Sequence, residues 1–292
     1  MLFLSQIING LQLGSIYALV ALGYSMVYGI IMLLNFAHGD IIMVGGYIAV
    51  LILTAGLSPI LAIVLAIVGC MLLATLIEKV AYKPLRSAPR ISLLITAIGV
   101  SLLLQNLAQL IFGAESRSFP NTMIIPAKTF SLGSITISLT TIVTIAVTVI
   151  AMVLLTLLVQ KTRMGKAMRA VSEDMGAAQL MGINVNTTIT FTFAVGAFLA
   201  GIGSILYCCR YPLVNPTMGS LMGLKAFVAA VLGGIGSIPG AMIGGLAIGM
   251  AEVLVTAIGL SSWTDAIVFA ILIIVLLVKP TGFLGRSMTE KV

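Results

Sequence analysis

The chain has 292 residues, 60% of them apolar and only 8% charged, with 30 glycines and a formal charge of +7. So little charge, with a mean hydropathy of +1.23, excludes a sizeable soluble domain and implies an all-α integral membrane protein forming one membrane domain over residues 1–292. The positive balance does not point to nucleic acid, because eleven of the fifteen Lys and Arg fall in Lys79–Arg90, Lys161–Arg169 and Lys279–Lys291, the clustering expected of cytoplasmic loops.

In chain order, apolar runs near the roughly 20 residues that cross a bilayer are expected at Ile7–Ile30, Ile41–Thr54, Pro59–Val80, Ile91–Phe112 and Ser138–Val159. After a charged loop come Thr188–Cys209, Met218–Leu232, Ile238–Ile258 and Ser262–Val278. Two of these nine runs are short, so a bundle of eight to nine transmembrane segments is predicted. No internal repeat is evident. The first run has no basic flank before it and is expected to be retained as a span rather than removed as a signal peptide. With the basic clusters inside, the N-terminus lies outside, the C-terminus inside, and residues 113–137 form an external loop. Pro120, Pro126, Gly133 and the alternating Ser134–Ser138 stretch predict a small hairpin there. The adjacent Cys208 and Cys209 are assigned to packing.

The loop Lys161–Asn186 is the one charged, amphipathic stretch of any length. Met164, Met168, Val171, Met175 and Ala178 recur at helical spacing, with Lys161, Arg163, Lys166 and Arg169 ahead of an acidic pair. Ser172 is expected to cap a second short helix with Glu173 and Asp174 in its first turn, and Gly182 to end it. One reading lays the loop on lipid headgroups. The other makes it a socket for a soluble partner, with Gly176, Ala177, Ala178 and Gly182 small enough for close approach, and Arg163 and Leu180 completing the surface.

Helix breakers recur at Asn35-Phe36-Ala37-His38-Gly39-Asp40 and at Gly233-Gly234-Ile235-Gly236-Ser237-Ile238-Pro239-Gly240. Backbone freed by a break cannot face lipid, so each segment either lines a solute path or forms a tight turn at a close helix crossing. Asn35, His38, Gly39, Asp40, Gly233, Gly234, Gly236 and Ser237 are accordingly path or gate candidates. Ionisable groups in apolar runs also need a reason. His38 and Asp40 are placed to pair locally, Lys225 either to snorkel outward or to pair with Glu252, while Asp265 beside Trp263 is explained by a helix start at the interface. The sequence contains no P-loop and no H-E-x-x-H, and its sole histidine, His38, has no Ser–His constellation around it, so no ATPase or hydrolase chemistry is expected of this chain, and no cofactor or metal.

Leu34–Asp40 running on to Gly45-Gly46-Tyr47, the loop from Arg163 to Gly182, Gly223–Phe227 through Gly233–Gly240, and the ending Lys279–Arg286 together resemble LivH-type permeases of branched-chain amino acid ABC importers. The resemblance spans the chain. It implies a type II ABC importer permease fold in a bacterial inner membrane, a second homologous permease, two cytoplasmic ATP-binding subunits that bind the ATP, a periplasmic binding protein, and an aliphatic amino acid as solute. It also implies that Ser172–Gly182 is the coupling-helix region. Relatives importing urea or short amides share the Asn-x-x-His-Gly pattern and form the alternative. A proton-coupled secondary transporter using His38, Asp40 or Glu252 is the competing class, distinguished by uptake with the chain alone. A membrane scaffold, with no solute dependence, is a third.

Overall fold

Long apolar segments satisfy their own backbone hydrogen bonds only as helices when water is absent, and in a computed structural model this chain is a bundle of them. The structure describes residues 2–32, 34–86, 88–132 and 135–285. The helices are α1 (Leu2–Ile31), α2 (His38–Thr54), α3 (Pro59–Ile77), α4 (Arg90–Phe112), α5 (Leu139–Lys161), α6 (Arg163–Glu173), α7 (Met175–Leu180), α8 (Val185–Arg210), α9 (Met218–Gly233), α10 (Ile238–Ala257) and α11 (Thr264–Val278). Beyond α3 the chain continues through a π-helical turn, Glu78–Tyr82, and a 3-10 turn, Lys83–Leu85. Among the described residues, 7 helices are long and apolar enough to span a membrane, and α2 and α9 are the two shorter apolar helices. The protein is therefore a multi-pass membrane protein whose helices match the apolar runs one for one.

The predicted hairpin exists as β2 (Thr129–Leu132) paired antiparallel with β3 (Ile135–Ser138); its expected turn residues Gly133 and Ser134 lie outside the described residues, as do Arg286 and Lys291. A second small sheet pairs β1 (Arg117–Ser118) with β4 (Leu213–Val214).

α1 and α8 are the most buried of the long helices, whereas α4 and α11 turn most of their surface outward. Ile95, Leu103, Leu110 and Leu277 are among the exposed apolar residues of that outer layer, as lipid contact requires. The packing has a symmetry that the sequence does not advertise. α1 runs antiparallel along α10, with Gly10 against Met250, Gly14 against Leu246 and Gly29 against Gly236. α8 runs antiparallel along α3 in the same manner, with Gly201 against Ile67 and the Thr190 hydroxyl on Glu78. The two long helices cross each other at Gly23 and Gly196, and the two short ones meet at their N-termini, Gly39 against Gly219 and Gly223. Exchanging α1–α4 with α8–α11 thus reproduces the main contacts, the arrangement of an inverted repeat. Its sequence trace is slight: Asn35 lies four residues before Gly39 as Asn215 lies four before Gly219.

This alters one expectation. The counterpart of the break at Asn35–Asp40 is Asn215–Ser220, ahead of α9, and not the glycine-rich segment that follows α9.

Candidate docking surface and broken-helix centre

The charged loop folds as two short helices, but the joint differs from expectation. Thr162 caps α6, its hydroxyl accepting from Gly165 N at 2.9 Å. Ser172 lies inside the last turn of α6 and donates to Arg169 O at 2.7 Å, so it caps nothing. Glu173 closes α6, and Asp174, in extended conformation, caps α7 by accepting from Ala177 N at 2.9 Å. Asp174 and Ser172 are both good cap residues; starting α6 at Thr162 carries its register past Ser172. Gly182, at φ 81°, ends α7 as expected.

The apolar stripe of this loop is consumed by the chain itself. Met168 and Val171 are buried, Met164 is half-buried, and α6 packs on α1, α5 and α8. Ala178, expected on the partner-facing surface, is 3% exposed and belongs to the core. Met175, predicted to continue the stripe, is outside it and exposed. The outward surface consists of Arg163, Lys166, Glu173, Asp174 and Ala177 with, at its tip, Leu180 at 90% and Met181 at 83% exposure. Beside that tip lies an open cavity of about 570 Å³ bordered by Met175, Gln179, Asn184, Asn186 and Arg86.

At the first break, α1 ends at Met32, in the left-handed region at φ 52°. Asn35 is buried; its side-chain oxygen accepts from the Tyr82 hydroxyl at 2.7 Å and its backbone oxygen from the N of His38, the first residue of α2, at 3.0 Å, a turn that leads into the helix. His38 and Asp40 do not pair. His38 packs edge-on to Tyr24 with ring centroids 4.8 Å apart, and Asp40 accepts from the Ser101 hydroxyl at 2.5 Å, which Gln105 supports at 3.0 Å. The spacing of two residues puts these side chains on different sides of the helix start.

The glycine-rich segment is a close-packed turn. A side chain at Gly233 would strike Gly240, Gly234 (φ 101°) lies against Gly285, and Gly236 (φ 90°) against Gly29. Ser237 caps α10 by accepting from Gly240 N at 3.2 Å. These residues seal one end of the bundle, so replacement by leucine disturbs folding rather than only a path.

Of the two readings of Lys225 the structure has the pair with Glu252, at 2.8 Å, and adds two partners: Asp265 is 2.7 Å from the same ammonium, and the Tyr17 hydroxyl donates to Glu252 at 2.8 Å. The cluster ties α1, α9, α10 and α11 together, giving Asp265 a role besides starting its helix. Sequence reading missed a second buried acid. Glu78 is wholly buried, paired with Arg86 and accepting from Thr190 at 2.8 Å, and Arg86 also donates to Asn186 at 2.7 Å. The signal was one acidic residue at the end of the apolar run Pro59–Val80, directly before a basic cluster.

A bundle of membrane-crossing helices, with broken elements at its centre and a structured polar loop at one end, defines a membrane transport protein of the permease class. The chain belongs to the family described as branched-chain amino acid transport system / permease component, whose model matches residues 6–276. It is 44% identical to the high-affinity branched-chain amino acid transport system permease protein LivH of Salmonella typhimurium, over 99% of this chain and 98% of that protein. It is 43% identical to the corresponding protein BraD of Pseudomonas aeruginosa, with the same coverage. A solved structure of PsaBC from Streptococcus pneumoniae in complex with Fab aligns with a TM-score of 0.49 at 17% identity, covering 94% of this chain and 91% of that one.

Proposed function

We propose that this chain is the membrane-spanning permease subunit of an ATP-driven importer for branched-chain amino acids in a bacterial inner membrane. It works with a second homologous permease, two cytoplasmic ATP-binding subunits and a periplasmic binding protein. The observation that carries the reading is the tip of α7. The loop's own apolar stripe is satisfied within the bundle, yet Leu180 and Met181 project almost fully exposed next to an open cavity. Such residues are anchors for a partner's groove. The clustering of Lys and Arg at this end supports a cytoplasmic setting, with the hairpin at the other end outside. The chain performs no covalent chemistry; it supplies the solute path and a surface that receives the force of ATP-driven closure.

Purification in mild detergent from the native host, with mass spectrometry of what accompanies the chain, tests this. A second permease and P-loop ATPases should come with it, and Leu180→Asp should release the ATPases while the permease pair survives. Ala178→Arg is no substitute, because it inserts charge into the core. A chain that arrives alone and moves solute under a proton gradient overturns the reading.

A further inference from the structure

Resting on that reading, we infer that Glu78, Tyr82 and Arg86 are positioning residues that tie the docking loop to the broken helix at Asn35, so that motion of one is imposed on the other. The contacts are continuous. α7 ends at Gly182, and the link from Gly182 to α8 carries Asn184, which caps α8 by accepting from Thr187 N at 3.1 Å. Two residues on, Asn186 accepts from one arm of the Arg86 guanidinium while the other arm holds Glu78. Glu78 also accepts from Thr190, one turn further along α8. The start of α8 is therefore gripped at two successive turns by the end of α3.

From Glu78 the link passes through covalent structure. Glu78 and Tyr82 are the two ends of the π-helical turn, both buried, with Lys79 and Val80 facing outward between them. Such turns are wider than α-helix, and they occur often at functional positions. Tyr82, packed against Phe193 of α8 with ring centroids 5.7 Å apart, donates to Asn35, and Asn35 accepts from the backbone of His38, the first residue of α2. Hydrogen bonds at 2.7–2.8 Å, joined by the Arg86–Glu78 ion pair and the covalent turn, thus connect the last residue of the loop to the first residue of the break.

This arrangement costs more than packing needs. A wholly buried carboxylate is expensive to desolvate, and an apolar contact of the same volume is often as stable. A planar guanidinium reaching two acceptors transmits direction as well as distance, which a lysine point charge does not. Spatial continuity alone does not establish coupling; a coupling energy does.

The test uses the whole complex in proteoliposomes with its binding protein and ATP, reading radiolabelled leucine taken up per ATP hydrolysed. Tyr82→Phe removes one hydroxyl and should leave assembly and hydrolysis within twofold of wild type while lowering uptake per ATP at least fivefold. Arg86→Lys should give an uptake per ATP between those of wild type and Tyr82→Phe. Asn35→Leu should lower the ratio similarly, and the Tyr82→Phe/Asn35→Leu pair should be no worse than the poorer single variant, because both cut one link. An unchanged ratio in Tyr82→Phe, multiplicative losses in the double variant, or a parallel fall of hydrolysis and uptake each overturn the inference. A wild-type complex that hydrolyses ATP without taking up a branched-chain amino acid overturns the transport reading itself, and this inference with it.

Discussion

Glu78 and Glu252 occupy related places in the two halves of the molecule, one joining α3 to α8 and the other joining α10 to α1, toward opposite ends of the bundle. They are built differently. Glu252 shares a single ammonium with a second carboxylate, Asp265, and is also held by Tyr17. Glu78 stands as the one acid against Arg86, completely buried; it accepts from Thr190, Arg86 donates to Asn186, and both of these lie in the first turns of α8, where the loop ends. The far end is tied redundantly across four helices, so no single contact releases it. The loop end depends on one carboxylate. A transporter needs such inequality, since an element that moves must be held by few contacts and the frame it moves against by many.

The largest effect is expected where the halves touch. Gly39→Val and Gly219→Val each drive a side chain into the facing backbone and should cost at least about 3 kcal/mol, seen as loss of folded protein by fluorescence-detected size exclusion. Gly99→Val, where nothing lies within 4 Å, should be near neutral. If Gly219→Val is tolerated while Gly39→Val is not, the halves are not equivalent at their junction.

Next come the acids themselves. Glu78→Ala leaves Arg86 without a carboxylate, held by Asn186, removes the acceptor of Thr190, and should cost about 3 kcal/mol, whereas Glu252→Ala leaves Lys225 paired with Asp265 and should cost about 1 kcal/mol. Thermal unfolding of the two variants in one detergent decides this, and equal shifts in Tm would break the comparison. Between them, Lys225→Met leaves two carboxylates facing each other and should cost about 2 kcal/mol, largely recovered by adding Glu252→Gln. The smallest effect on stability belongs to Leu180→Ser, within about 0.5 kcal/mol because the side chain is exposed; under the proposed function it should also weaken capture of the ATP-binding subunits.

Much of the fold was legible because apolar runs and helices coincide in a membrane, where backbone has little alternative. The Lys225–Glu252 pair was legible for a related reason: opposite charges within apolar runs have few other partners. The joint of the docking loop was not, since Ser172 and Asp174 have similar cap propensities and only the register set by Thr162 separates them. Glu78 was hidden by its position, because an acid at the very end of an apolar run, next to the first lysine of a basic cluster, resembles the start of a solvated loop until folding buries it. The inverted repeat left too little sequence in common, as each half fills its inward positions with different side chains, His38 opposite Met218 for instance. Glycines 233, 234 and 236 carried a correct signal of close approach, but a glycine contact is the same residue pattern whether it seals a turn or lines a path.

α8 can also be considered as a machine part. Its 26 residues form an unbroken rod of about 39 Å, capped at Val185 by the docking loop and ending at Arg210, just before the second break. The crossing with α1 at Gly196 is a contact of glycine on glycine, the closest bearing that two helices allow. Taking that crossing as a fulcrum, the loop-side arm measures about 17 Å and the far arm about 21 Å. Were α8 to pivot there as a rigid rod, a shift at its loop-side end would be returned at Arg210 in the opposite direction and roughly 1.3 times larger.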